Sequence, residues 1–269
     1  VFHSSIPERL KKHQPSIAFK DMEIMLKDRT IINPAGKTNP YYPQAFFDTD
    51  NALAADFLKD FEYVWDAVAA LPAFIEKTLN PEIKGEVEEG AWLEPGLVSL
   101  GKGSRVERGS IIRGPTIIGK NTIIRSGVYI RGHVMICDEC LIGWAVEMRQ
   151  SLILNKTHIP HSNAVFTSLV GNRINLAGRV STANYRLDGK KIIIRVPIGN
   201  EIKSFPTGQT LFGAVIGDDT QIAGNALIQP GTIIGRRCIV RPHIDVSGYI
   251  PHDSIVKREE RPFEIVPNK

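Results

Sequence analysis

The side chains able to do proton-transfer or anion chemistry gather between residues 131 and 189. They include Arg131, the run Val146-Glu147-Met148-Arg149, and Ile159-Pro160-His161-Ser162-Asn163. Ile174-Asn175-Leu176-Ala177-Gly178 and Thr182-Ala183-Asn184-Tyr185-Arg186-Leu187-Asp188-Gly189 follow. An imidazole titrates near neutrality and can relay protons. A guanidinium offers a planar fork of donors that suits phosphate. Residue type alone does not fix a role. An isolated His is commonly structural, an isolated surface Arg is commonly solvated, and Asn184-Tyr185 or Asp188-Gly189 can simply make turns.

Other chemistries fit the sequence less well. His133, His158 and His161 are imidazoles for a zinc site, but their spacing does not match that of known zinc-binding β-helices. Those proteins, of the γ-type carbonic anhydrase kind, carry HxxxxH and an Arg-Gly-Asp segment, whereas here Arg131-Gly132 is followed by His133. We therefore expect no metal. Gly114–Asn121 spells GPTIIGKN, close to a phosphate-binding loop, but it lacks the final Ser or Thr and no helical pattern follows. Cys137 and Cys140 form a lone CxxC without a second pair. There is no HExxH and no GxSxG.

What must position these residues is a repeat. From Leu100, every sixth residue is aliphatic or Met: Val106, Ile112, Ile118, Ile124, Ile130, Ile136, Ile142 and Met148. A second run joins Ile216, Ile222, Ile228, Ile234, Val240 and Val246. Four residues after the aliphatic stands a small or β-branched side chain, as at Ser104, Ser110, Thr116, Thr122 and Cys140. Gly often comes directly after the aliphatic, as at Gly101, Gly119, Gly143, Gly217 and Gly235. A period of six is neither that of a strand nor that of a helix. Each hexad reads as one short strand and a tight turn, with three hexads making a triangular coil of about 18 residues. The repeat is interrupted around residues 146–163 and again around 175–189, and loops on a rigid scaffold commonly carry function.

Residues 1–45 form an arm or small subdomain, 46–82 a helical lead-in, 83–258 the β-helix with a loop insertion near 186–213, and 259–269 a tail. Thr49 or Asp50 can cap a helix whose apolar face is Leu53, Phe57, Phe61, Val64, Val68 and Leu71, with Pro72 ending or kinking it. The insertion, with KKIIIRV and PTG, predicts a two-stranded excursion or a loop over the prism.

The 269 residues carry net charge +4, with 42% hydrophobic and 23% charged residues, which excludes wholesale disorder. No apolar stretch approaches the roughly 20 residues of a membrane helix. Lys and Arg are dispersed, which argues against nucleic acid and is compatible with a small anion. Three Cys and no secretory h-region predict a cytoplasmic protein.

The repeat resembles the hexapeptide-repeat left-handed β-helix, and the left hand is taken from that resemblance. The sequences VEMR, IPHSN, INLAG and TANYRLDG resemble the acetyltransferase half of the bifunctional N-acetylglucosamine-1-phosphate uridyltransferase/glucosamine-1-phosphate acetyltransferase. The insertion with PTG, then FGAVIGDD and NALIQPGTIIG, resembles short sugar-1-phosphate nucleotidyltransferase-like relatives. The nucleotidyltransferase motif LxxGxGTRxxP is absent, so we expect no nucleotidyltransferase activity.

The resemblance implies an acetyl-CoA-dependent N-acetyltransferase acting on an amino sugar 1-phosphate or a nucleotide sugar. It implies His161 as general base, and Asn184 and Tyr185 as groups orienting acetyl and amine. Arg131 and Arg149 would hold the phosphate, Asn163 and Asn175 would contact the acceptor, and Gly224 and Arg241 would line the CoA site. It also implies a homotrimer with sites between subunits. Ala164 replaces a usual Tyr, and Ala177-Gly178-Arg179-Val180 replaces a usual GAGT. Those departures keep open a non-catalytic sugar-nucleotide-binding scaffold.

Overall fold

The structure is a computed structural model and describes residues 39–258. The arm and tail of the sequence reading therefore fall largely outside the described residues.

The hexads build a prism with three parallel sheets of nine, eight and eight strands. The first face begins at Glu86–Val87 and ends at Ile255–Val256, the second runs from Trp92–Leu93 to Asp245–Val246, and the third from Val98–Leu100 to Tyr249–Ile250. The first edge joins the first face to the second, the second edge joins the second to the third, and the third edge closes the coil. The sixth-residue aliphatics fill the interior: Val106, Ile112, Ile124, Ile130, Ile142 and Ile228 are all fully buried. Ile142→Ala should therefore cost about 2–5 kcal/mol, read as a lower denaturation midpoint.

The small residues earn their positions by hydrogen bonding the edges. Ser104 Oγ donates to Gly119 O at 2.6 Å and accepts from Thr122 N at 2.8 Å. Thr122 Oγ1 donates to Cys137 O at 2.8 Å, and accepts from Cys140 N at 3.0 Å. Cys140 continues the ladder by donating its thiol to Leu154 O at 3.0 Å. Burial pushes its thiol up to about 12, which suits a structural role rather than a reactive one. Gly143 is set by close approach, because a Cβ there would fall on the backbone of Pro160 in the next coil.

The predicted interruptions are milder than expected. Strands stack without a gap through Glu147–Arg149, His158–His161 and Ala164–Phe166. The coil shortens instead: Ile124 pairs with Ile142 eighteen residues on, and Ile142 with Ile159 seventeen residues on. A long insertion leaves after Thr182 and returns at Ala214. It forms the antiparallel hairpin Ile193–Ile198 with Glu201–Pro206.

Among the described residues three helices precede the prism: α1 (Pro43–Phe46), α2 (Ala52–Leu58) and α3 (Asp66–Thr78). The single apolar stripe is thus divided between two helices, since the chain leaves helix after Leu58 and re-enters at Asp66. Asn51, not Thr49 or Asp50, caps α2 by accepting from Leu53 N and Ala54 N at 3.1 Å each. Pro72 lies within α3 and does not end it.

Helices and hairpin together cover the third face. Phe57, Leu58, Val68, Leu71 and Ile75 join hairpin residues Ile194 and Val196 in one cluster with Ile117, Met135, Leu152, Leu169, Val215 and Ile233. The third face is therefore buried on both sides. The first and second faces carry the outward chemistry.

Candidate active site on two edges of the prism

His161 ends the first-face strand His158–His161 and is exposed at the first edge. Its partner on the preceding coil is Trp144, which is 61% exposed. On the following coil stands Gly178, where a Cβ would sit 3.4 Å from His161 Cβ. Gly224 comes next, where a Cβ would meet Gly178 O at 3.1 Å. Backbone bonds fix this order: Arg179 N donates to His161 O, Asn225 N to Gly178 O and His243 N to Gly224 O. Arg241, exposed, enters the same edge one coil on, after the strand Ile239–Val240. The first edge thus presents an indole, an imidazole, two bare glycines and a cation on successive coils.

Trp144 and Gly178 were missed by motif reading. Both stand seventeen residues from His161, the length of the shortened coil, and that spacing is the signal that finds them.

Arg131 and Arg149 end strands Tyr129–Arg131 and Glu147–Arg149 at the second edge. Arg131 pairs with Glu147 at 2.8 Å, both about 40% exposed. An ion pair so open to water contributes little and exchanges partners readily. Arg149 is exposed and its guanidinium meets no acid among the described residues.

Asn184 and Tyr185 lie past Ser181–Thr182 where the insertion departs, also at the second edge. Asn184 Nδ2 donates to Thr167 Oγ1 at 2.9 Å, and the Asn184 backbone carbonyl accepts from Phe212 N at 2.9 Å. Tyr185 is 53% exposed.

The second face separates the two groups. His161 and Phe166, the register partner of Arg149, are five residues apart across the first edge, which is at most about 16 Å for a chain that turns there. Asn175 sits on the first face, half-buried, in register with His158 and Gln221. The structure therefore brings together His161, Gly224 and Arg241, and separately Arg131, Arg149, Asn184 and Tyr185.

Asn163 requires a correction. It is buried, its Nδ2 donates to Leu176 O at 3.3 Å and its Oδ1 accepts from Val180 N at 2.7 Å. Both ends of the amide serve the first edge from inside the prism, so it cannot contact an acceptor.

The two departures also have places. Ala164 lies half-buried on the second face between Glu147 and Ser181. Arg179 has φ +61, the left-handed region where Gly is unstrained, and its side chain is exposed.

His133 Nε2 lies 2.8 Å from Glu76 Oε1 of α3, away from His158 and His161. Among the described residues, no three His, Cys, Asp or Glu side chains come together to hold a metal. No described helix is long and apolar enough to cross a membrane.

Residues 97–132 and 213–243 match the family described as bacterial transferase hexapeptide (six repeats). The uncharacterized acetyltransferase YaiX of Escherichia coli O6:K15:H31 is 34% identical over 165 residues, covering 61% of this chain and 70% of that protein. The chain belongs to the hexapeptide-repeat transferase family. The family's left-handed β-helix is the prism described above. The bifunctional protein GlmU of Methanococcus vannielii is 30% identical over 200 residues, 72% of this chain and 47% of that protein. GlmU of Methanocaldococcus jannaschii is 28% identical over 200 residues, with 74% and 47% covered. This hexapeptide-repeat chain spans about half the length of the GlmU proteins it matches.

Proposed function

We propose that the chain is an acetyl-CoA-dependent N-acetyltransferase whose acceptor is an amino sugar 1-phosphate or a nucleotide sugar. The carrying observation is the exposed His161 imidazole followed on the next two coils by Gly178 and Gly224. A base beside a ledge without side chains lets an extended thioester lie along the edge with its carbonyl near the imidazole.

In the reaction the acceptor amine attacks the thioester carbonyl carbon. His161 takes the proton released by the amine, and the tetrahedral intermediate expels the CoA thiolate, which recovers a proton from the imidazolium. Backbone N–H groups of the edge stabilise the oxyanion. Arg131 and Arg149 hold the acceptor phosphate, Asn175 contacts the sugar, and Asn184 and Tyr185 orient the acetyl group and the amine. Arg241 meets the CoA.

The second face standing between the two groups, at most about 16 Å along the chain, supports an assembly in which copies share the work. A homotrimer that lays the first edge of one protomer against the second edge of its neighbour closes that gap.

The test is CoA release, followed with a thiol reagent, from acetyl-CoA with a panel of acceptors including glucosamine 1-phosphate. Turnover is expected, with a ranking of acceptors, together with a trimer in sedimentation velocity. Ala164 and the exposed Arg179 at the first edge favour a second reading, a non-catalytic sugar-nucleotide-binding scaffold. Absence of turnover with no calorimetric binding of acetyl-CoA would establish that reading instead.

A further inference from the structure

The second face carries a cationic column longer than one phosphate needs. Arg113 pairs in register with Arg131, and Arg149 continues the column on the next coil. Adjacent coils lie about 4.8 Å apart, so the three guanidinium groups rise from positions spread over roughly 10 Å.

Arg113 is flanked by aromatic rings. Its Cζ lies 5.9 Å from the centroid of the Trp92 ring, and its Nε donates to Tyr129 Oη at 3.2 Å. Trp92 is 44% exposed, and Ile111, between Trp92 and Tyr129 in register, is 43% exposed. Of the nearby acids, Glu94 is engaged by Gly114 N at 2.9 Å, and Glu147 holds Arg131 in the exposed pair already described. No carboxylate among the described residues lies within ion-pair distance of Arg113 or Arg149, while Glu94 stands next to Arg113 on the preceding coil.

We infer that Arg113 is a third phosphate-binding residue, with Trp92, Ile111 and Tyr129 as the platform for a base, so that the acceptor is a nucleoside-diphosphate sugar. This rests on the reading that Arg131 and Arg149 hold the acceptor phosphate. Two linked phosphates span adjacent rungs of the column where a sugar 1-phosphate fills one. A planar base beyond them meets an apolar, aromatic surface that stacks on any π-face. Three guanidinium groups against the carboxylates of Glu94 and Glu147 leave a net positive charge, which favours an anion over a neutral partner on this face.

The test is isothermal titration of the full chain with glucosamine 1-phosphate, inorganic pyrophosphate, UDP and dTDP. UDP or dTDP should bind at least about tenfold tighter than glucosamine 1-phosphate. Arg113→Gln should erase that advantage and leave glucosamine 1-phosphate within about twofold. Trp92→Leu should weaken the nucleotides by about fivefold or more and leave pyrophosphate unchanged. Both side chains are on the surface, and thermal melting of each variant checks that it is folded.

The inference is overturned if both nucleotides bind no tighter than glucosamine 1-phosphate, or if Arg113→Gln affects all probes alike or none. Sedimentation velocity showing that either variant dissociates an oligomer would also overturn it, assigning the patch to a second copy of the chain. Binding does not depend on turnover, so the two readings fail separately. Nucleotide binding that needs Arg113, without CoA release from any acceptor, removes the acetyltransferase and keeps this inference. CoA release with glucosamine 1-phosphate and no nucleotide preference does the reverse.

Discussion

His161→Ala is expected to lower kcat for CoA release by about 10²–10⁴, the span commonly supplied by a positioned general base. The loss should fall on kcat, because removing an exposed side chain at the first edge leaves the Gly178–Gly224 ledge intact. Affinity for acetyl-CoA by calorimetry should therefore change little. The fold should tolerate the change, since His161 lies outside the prism and its carbonyl, not its ring, takes the bond from Arg179 N at 2.9 Å. His161→Gln is the informative companion: it keeps a polar side chain and cannot accept the amine proton, so it should be nearly as slow. A wild-type rate in the alanine variant would remove His161 from the chemistry. Trp144, its neighbour on the preceding coil, gives a control, since Trp144→Ala leaves the imidazole in place and should retain base catalysis.

How far the sequence carried this reading depends on which side of the prism wall a residue faces. Interior positions are legible because each coil closes on the same narrow cavity. An aliphatic such as Ile124 or Ile142 must therefore recur with the hexad. The seventeen-residue coils are harder to see. The residue dropped at an edge leaves no mark in residue type, because left-handed positions there are held by Gln150, Ser162, Thr167 and Arg179 as well as by Gly. Edge hydrogen bonds stabilise those conformations, so the glycine signature is lost.

The covered third face had a signal that the six-residue reading passed over. Outward positions Ile117, Met135, Val215 and Ile233 are apolar, whereas outward positions Arg113, Arg131 and Glu147 on the second face are charged. That contrast recurs by coil and not by hexad. The roof over the face is non-local, since the hairpin lies more than a hundred residues after α2 and α3. For the site, motif spacing named His161, Arg131 and Arg149 but could not reveal the width of the second face between them. It also placed Asn163 at the acceptor. Asn163 fills the interior small-residue slot, where a polar amide is needed by the backbone of Leu176 and Val180.

Asp218→Ala should cost about 3–5 kcal/mol, because it strands three donors, Asp48 N, Asn172 N and Asn172 Nδ2, at about 1–3 kcal/mol each. Asp218 is fully buried at the third edge, in the FGAVIGDD run. Its Oδ2 accepts from Asp48 N at 2.7 Å, and its Oδ1 accepts from Asn172 N at 2.7 Å and Asn172 Nδ2 at 3.0 Å. Arg236 Nη2 reaches Asp48 at 2.6 Å and Asp218 at 3.4 Å, and Arg173 joins Asp48 at 2.8 Å. The cluster ties the start of the helical lead-in to the coils on either side of the insertion. Its loss should loosen the roof of the third face along with the edge. The guanidinium would also be worse off, since Arg236 Nε is already buried without a partner among the described residues.

The pH dependence separates the carboxylates of this cluster. Burial pushes Asp218 up to about 6, against the backbone and side-chain donors of Asp48 and Asn172. Its folded value lies above the unfolded one, so its favourable contribution is complete below about pH 4 and is lost as pH rises through about 6. Burial also raises Asp48, but Arg173 and Arg236 outweigh it and hold the carboxyl below its ordinary value. Arg173 likewise holds Asp219 down, against a smaller effect of burial. Those two contributions are present above about pH 4 and are lost as pH falls below it. Denaturant midpoints should therefore rise as the wild type is brought from pH 7 to 5, then fall on further acidification. Asp218→Asn should lose the rise and keep the fall. An unchanged pH 5–7 slope in the asparagine variant would show that Asp218 does not titrate in that range.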